Sequence, residues 1–140
     1  IAEDAVVTRS IISEGTDVYG EVHNSVIGSG VTIGKGSVIR DSIIMKNTVI
    51  GENCVIDRAI IAENSVVGDG AVLGVGEDIP NKKKPSVYCF GLVTIGDSTV
   101  IPPNVKIGKN TAIEGETTPE DYPGGVLDSG ETLIKAGGVL

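Results

Sequence analysis

Aliphatic residues recur along this chain at a spacing that fits neither an amphipathic helix nor an ordinary alternating strand. From Ile27 the anchors fall at Ile33, Ile39, Ile44, Ile50, Ile56, Ile61, Val67 and Leu73, separated by six, six and five residues in rotation. Three stretches, starting at Ile27, Ile44 and Ile61, therefore superimpose with a period of 17 residues. Repeats of this length bury little alone and must stack to share a core. The hexads continue at Ile95, Ile101 and Ile107, and a looser version runs upstream through Ile1, Val7, Ile12 and Val18.

The residue three places after each hexad anchor is Gly15, Gly30, Gly36, Asn47, Asn53, Asn64, Gly70, Asn104 or Asn110, with Asp4 and Ser98 as weaker choices. Glycine and asparagine tolerate positive φ, so the pattern predicts a left-handed kink at each corner. The next residue is small or β-branched, as in Val31, Ser37, Thr48, Cys54, Ser65, Ala71 and Thr99, which suits the inner edge of a tight corner. Short strand, kinked corner and short strand, three times per turn, predict an all-β protein. The fold expected is a left-handed parallel β-helix, a triangular hexapeptide-repeat prism of about six coils and on the order of 29 Å tall at about 4.8 Å per coil.

Two segments interrupt the pattern. Residues 75–94 hold two prolines, three lysines and two aromatics between clean hexads and read as an external loop. Residues 114–140 carry turn residues in place of hexads and read as an irregular C-terminal tail or cap, leaving 1–113 as the β-helix. Caps matter because a terminal coil exposes unpaired backbone and apolar anchors. No such cap is evident before Ile1, and with no initiator Met a covering element from a longer protein is expected there.

Composition narrows the function. The 140 residues suit one domain, 20 glycines fit the corners, and 3% aromatics leave Val, Ile and Ala to build the core. A net charge of -8 disfavours an electrostatic grip on nucleic acid or an acidic membrane. No apolar run is long enough to span a bilayer, and the start lacks a signal-peptide layout. The two cysteines, Cys54 and Cys89, form neither a zinc motif nor a disulfide framework, so a reduced cytoplasmic protein is expected. Cys54 reads as a packed corner residue and Cys89 as an inert thiol in the loop.

Catalytic chemistry is scarce. Acyltransferases built on such prisms use a histidine as general base, and His23 alone is available, in irregular upstream coils where a structural role is expected. One histidine excludes a three-histidine metal centre on this scaffold. No nucleophile has a base partner, no carboxylates pair, and Gly124-Gly125 and Gly137-Gly138 lack the flanking strand and lysine of a phosphate loop. Neither a catalytic residue, a metal site nor a cofactor is expected within the chain.

Beyond the hexads, the segments VHNSVIG, VIGENCVIDRAIIAENSVVGDG, EDIPNKKKPSVYCFGLVTIG and VKIGKNTAIEGETTPEDYPGGVLDSGETL together resemble the C-terminal half of bacterial glucose-1-phosphate adenylyltransferase, or ADP-glucose pyrophosphorylase. The resemblance implies that a separate N-terminal domain, absent here with its GGxGTRL signature, converts ATP and glucose 1-phosphate to ADP-glucose and pyrophosphate for glycogen synthesis. Magnesium would accompany ATP there. For this chain it implies oligomerisation, homo- or hetero-oligomeric, and transmission of effector binding between domains.

The basic residue that follows VID and contacts anionic effectors in the family matches Arg58. A second basic residue, expected in the strand after the loop, falls near Asp97 and Ser98, which are not cationic. Lys82, Lys83 and Lys84 would join Arg58 in a phosphate- or sulfate-binding patch if the loop folds back over the coils, the arginine gripping two oxygens and the lysines adding potential. A hexapeptide acyltransferase using acetyl coenzyme A and a catalytically dead regulatory paralogue are the alternative readings. The resemblance leaves the nucleotide open, since related uridylyl- and guanylyltransferases share the architecture.

Overall fold

The computed structural model describes residues 1–135, and Gly137 and Gly138 lie outside the described residues. Nineteen parallel strands of two to four residues wind into three sheets that form the faces of a prism. Face one stacks Val6–Thr8, Glu21–His23, Val38–Arg40, Val55–Asp57, Val72–Val75, Lys106–Gly108 and Val126–Leu127. Face two stacks Ile11–Ile12, Val26–Ile27, Ile43–Ile44, Ala59–Ile61, Val93–Ile95, Thr111–Glu114 and Thr132–Ile134. Face three holds five strands, from Asp17–Val18 to Val100–Ile101.

The 17-residue repeat is the pairing register itself: Val38 pairs with Val55 and Val55 with Val72. Each strand turns one aliphatic anchor inward, so every anchor from Ile27 to Leu73, and again from Ile95 to Ile107, is at most 1% exposed. Stacked Ile, Val and Leu side chains fill the prism, each contributing roughly 1.5–3 kcal/mol through burial.

The corners explain how the chain can turn so tightly. Asn47, Asn53, Asn64, Ser98, Asn104 and Asn110 all have φ between 53 and 61°, and Gly15, Gly30, Gly36 and Gly70 lie between 68 and 79°. Coils approach so closely that a methyl group on Gly34 would lie 2.5 Å from the Gly51 carbonyl oxygen of the next coil. Only glycine fits there. The small residue after each kink is fully buried in Val31, Ser37, Thr48, Cys54, Ser65, Ala71 and Thr99.

Several of these inner residues also satisfy the backbone. At the corner between faces one and two, Ser10 Oγ accepts from the Ser25 amide at 3.0 Å, Ser25 Oγ from Ser42 at 3.1 Å, and Ser42 Oγ from Ala59 at 3.1 Å. Ser25 and Ser42 in turn donate to the carbonyls of His23 and Arg40. Amides that the corner turns away from the sheet ladder are thus paired inside the core.

The structure departs from the expected pattern in five places. Two faces carry seven strands where six coils were expected, because the tail contributes a further rung. Of the expected tail 114–140, the described residues run through two 3-10 turns, Pro119–Asp121 and Pro123–Gly125, and then Val126–Leu127 and Thr132–Ile134 pair with the preceding rung. Gly and Pro turns hide that return in the sequence. Ile1, in the first coil beneath Val18, is 70% exposed, and Val22 is a further buried anchor stacked on Val7, because the corner at Tyr19 and Gly20 is two residues shorter and the first coils repeat at 15. Asp4 does not take the left-handed conformation and forms a plain turn, with the Ala5 amide bonded to the Ala2 carbonyl. The external loop spans 76–92, since Val75 and Val93 belong to strands.

Tyr122, between the two 3-10 turns, is 2% exposed and joins the core cluster, closing the end of the prism. Its hydroxyl bonds Thr117 Oγ1 at 2.9 Å, while Thr117 donates to the Val100 carbonyl. Burial pushes the Tyr122 phenol up from its ordinary pKa.

Two outcomes follow. Ile50→Asp buries an unpaired carboxylate in the central stack and should cost at least about 4 kcal/mol in chemical denaturation; an unchanged midpoint would mean the register is wrong. Because the folded phenol is harder to ionise, its stabilisation is complete below the unfolded value near 10 and is lost as pH rises beyond it. The melting-temperature advantage of the native protein over Tyr122→Phe, worth about 1 kcal/mol at neutral pH, should therefore shrink in alkaline buffer.

Candidate functional site

The corner between faces one and two carries Arg58. Its left-handed residues are Arg9, Asn24, Asp41, Arg58 and Asn110, with φ from 47 to 56°. A left-handed residue projects its side chain outward, so this corner displays a column of polar groups, with Asn24 donating to Asp41 at 2.7 Å. Arg58 is exposed and makes no ion pair among the described residues. Its guanidinium donates at 3.4 Å to the carbonyl of Phe90.

Phe90 belongs to the external loop, which leaves face one after Val75 and returns to face two at Val93, one rung beyond Arg58. Asn110, one rung further and 2% exposed, fastens both ends of the loop. Its amide donates to Asp78 and to the Ile79 carbonyl, its side-chain oxygen accepts the Gly91 amide at 2.8 Å, and its carbonyl accepts from Asn81. A methyl group on Gly91 would lie 3.8 Å from both the Arg58 guanidinium and the Lys109 side chain. The Arg58 guanidinium and the aliphatic stem of Lys109 therefore flank one glycine.

Lys109 escaped the sequence reading. The signal was a spacing of six between Ile107 and Ile113, where the earlier third sides use five, which widens this corner by a residue.

The lysine run lies elsewhere. Lys82 pairs with Glu131, which raises its pKa, and its amide bonds the Gly130 carbonyl of the last rung. Lys83 and Lys84 line a cleft of about 280 Å³ against Thr132 and Ile134. Arg58 sits three rungs below, roughly 14 Å away at about 4.8 Å per rung. The loop joins these groups in sequence, but the structure does not gather them into one cluster. Asp97 and Ser98 sit at the opposite corner of face two, and Ser98 continues the backbone ladder through Glu63.

His23 is held on both ring nitrogens, by Thr8 at 2.6 Å and Glu21 at 3.1 Å, as a strut between coils. Cys54 lies in the core, where burial raises its pKa, and its thiol donates to the Gly68 carbonyl. Cys89 is partly buried in the loop, its thiol directed at the Ser86 carbonyl. No helix among the described residues is long and apolar enough to cross a membrane.

Stacked 17-residue coils with left-handed corners define a hexapeptide-repeat β-helix. The chain belongs to the GlmU-like C-terminal hexapeptide family, whose profile matches residues 2–95. It is 68% identical over 137 residues to a glucose-1-phosphate adenylyltransferase of Lachnospira eligens, covering 98% of this chain and 32% of that protein. Enzymes of the same name are 57% identical over 134 residues in Thermotoga neapolitana and 41% over 131 in Acetivibrio thermocellus. The chain spans about a third of the length of these curated relatives. A solved hexapeptide transferase family protein from Anaplasma phagocytophilum covers 96% of this chain at 16% identity and a TM-score of 0.32, too weak a likeness to inform the site.

Asn110→Gly keeps the left-handed corner but removes the amide that fastens the loop. Limited trypsin digestion should then cut after Lys82 and Lys83 at least about tenfold faster, with the prism itself intact, because the loop opens without global unfolding. Equal cleavage rates would assign loop retention to other contacts.

Proposed function

We propose that this chain is the oligomerisation and allosteric-regulatory part of a glucose-1-phosphate adenylyltransferase. The intact enzyme would make ADP-glucose and pyrophosphate from ATP and glucose 1-phosphate, with magnesium and the catalytic groups in an N-terminal domain. The 68% identity over nearly the whole chain carries this reading. Its match to only a third of the relative's length supports a non-catalytic role for these residues.

Arg58 is the residue proposed to sense an anionic effector, now with Lys109 rather than the lysine run beside it. A planar guanidinium with no carboxylate partner among the described residues, beside the stem of Lys109 across one glycine, suits a phosphoryl group. The exposed face-two residues Ile11, Val26 and Ile43, in register on successive strands, support burial of that face against a neighbouring subunit or domain.

Arg58→Asn is the informative variant, because asparagine already serves this corner at Asn24 and Asn110. In the intact enzyme it should leave the unstimulated rate within about twofold and the melting temperature equal or higher, since Arg in this conformation costs roughly 1 kcal/mol. Activation or inhibition by phosphorylated effectors should fall at least about tenfold in apparent affinity. Loss of the basal rate, or an unaltered effector response, would refute the assignment, and ADP-glucose synthesis by the isolated chain would refute the non-catalytic reading.

A further inference from the structure

Phenylalanine occurs once in this chain, at Phe90 in the external loop, and it is 80% exposed. The core of Ile, Val and Leu closes around Tyr122 without it. Its backbone is unusual as well, with φ at 61°. Glycine, asparagine, aspartate, serine and arginine hold the other left-handed positions among the described residues, so Phe90 is the one bulky apolar side chain placed there. A residue of that kind disfavours the conformation and keeps it only where its surroundings impose it. Here they act on both sides. The Phe90 carbonyl accepts from the Arg58 guanidinium at 3.4 Å, and the following amide, that of Gly91, donates to the side-chain oxygen of buried Asn110 at 2.8 Å. Both flanking peptide groups are thereby turned to the prism, and the ring is left in solvent. Val87, three residues earlier in the same loop, is 60% exposed.

We propose that Phe90 is a docking knob that inserts into an apolar socket on the part of the intact enzyme outside this chain. A covered aromatic side chain buries roughly 150–250 Å², and interface energy concentrates in such anchors where polar groups around them exclude water. Arg58, bonded to the Phe90 carbonyl, supplies a polar group at the base of the knob. The occupant is argued from length and from what the prism leaves bare. The chain spans about a third of the length of its curated relatives, so the greater part of such an enzyme is available to cover the loop, while the prism itself leaves the ring open. The identity of this partner rests on the adenylyltransferase reading; the presentation of the ring does not.

Two measurements on the intact enzyme test it, with ADP-glucose synthesis assayed on the same preparations. In hydroxyl-radical footprinting of the unaltered protein, read by mass spectrometry, Phe90 should be oxidised at least about fivefold more slowly in the native enzyme than in urea, because a docked ring is shielded from water. The variant Phe90→p-benzoylphenylalanine keeps an aromatic ring at the position and, on irradiation, should attach to a peptide from outside residues 1–140. Native oxidation at the unfolded rate would overturn the proposal, as would attachment confined to residues 1–140 of the same or a second copy. A shielded ring that cross-links outside this chain, in a protein that makes no ADP-glucose, would uphold the knob and remove the adenylyltransferase reading. ADP-glucose synthesis with a freely oxidised ring would do the reverse.

Discussion

Each coil of this prism has to bend its backbone to the left at its corners without leaving an amide unpaired, and the rest of the molecule depends on that. Left-handed φ is inexpensive for glycine and asparagine, which accounts for their alternation up the columns, as in Gly36, Asn53, Gly70 and Asn104. The asparagine side chain lies over the glycine of the adjoining coil, where a Cβ would sit. Corner amides continue the ladder between coils, as from Asn53 to the Lys35 carbonyl at 3.0 Å. The inward Ser and Thr hydroxyls complete it, and no buried side-chain nitrogen or oxygen among the described residues lacks a partner.

Such a scaffold tolerates length changes only at its corners. Strands of two or three residues cannot shift without turning their anchors outward, whereas a corner can lengthen into solvent. The loop from 76 to 92 emerges at a corner, and the irregular stretch before Val126 departs after one as well. Face two therefore keeps its register across the loop, with Ala59 paired to Val93 over 34 residues instead of 17. Arg9, Asn24, Asp41 and Arg58 line the same corner at successive left-handed residues.

Charge is arranged by the same geometry. The chain is strongly acidic, yet Arg58, Lys109, Lys83 and Lys84 all lie on or beside one loop. Asn81 ties the Lys84 amide to the Asn110 carbonyl, and Glu131 pairs with Lys82. Arg58 itself stands in a backbone conformation that arginine disfavours. The surrounding ladder, including the Arg58 amide on the Arg40 carbonyl at 3.1 Å, holds it there.

The sequence by itself determined the coil, because a repeating core position and a residue tolerant of positive φ are both written locally, in Ile44 and Asn47 as much as in Ile61 and Asn64. It determined the inner-corner residues for the same reason, and it singled out the loop by its prolines and lysines. It missed Val22, which a corner two residues shorter brings in as an anchor above Val7, and it read the return of the tail as irregular because turn residues mask two short strands. Only the tertiary structure decided which cations meet. The distance between Arg58 and the lysine run depends on the path of a loop fastened by Asn110 and Asn81, through contacts 29 to 51 residues apart in the chain. Lys109 reaches the neighbourhood of Arg58 because coils stack, and stacking makes residues two or three periods apart neighbours whatever the chain between them does.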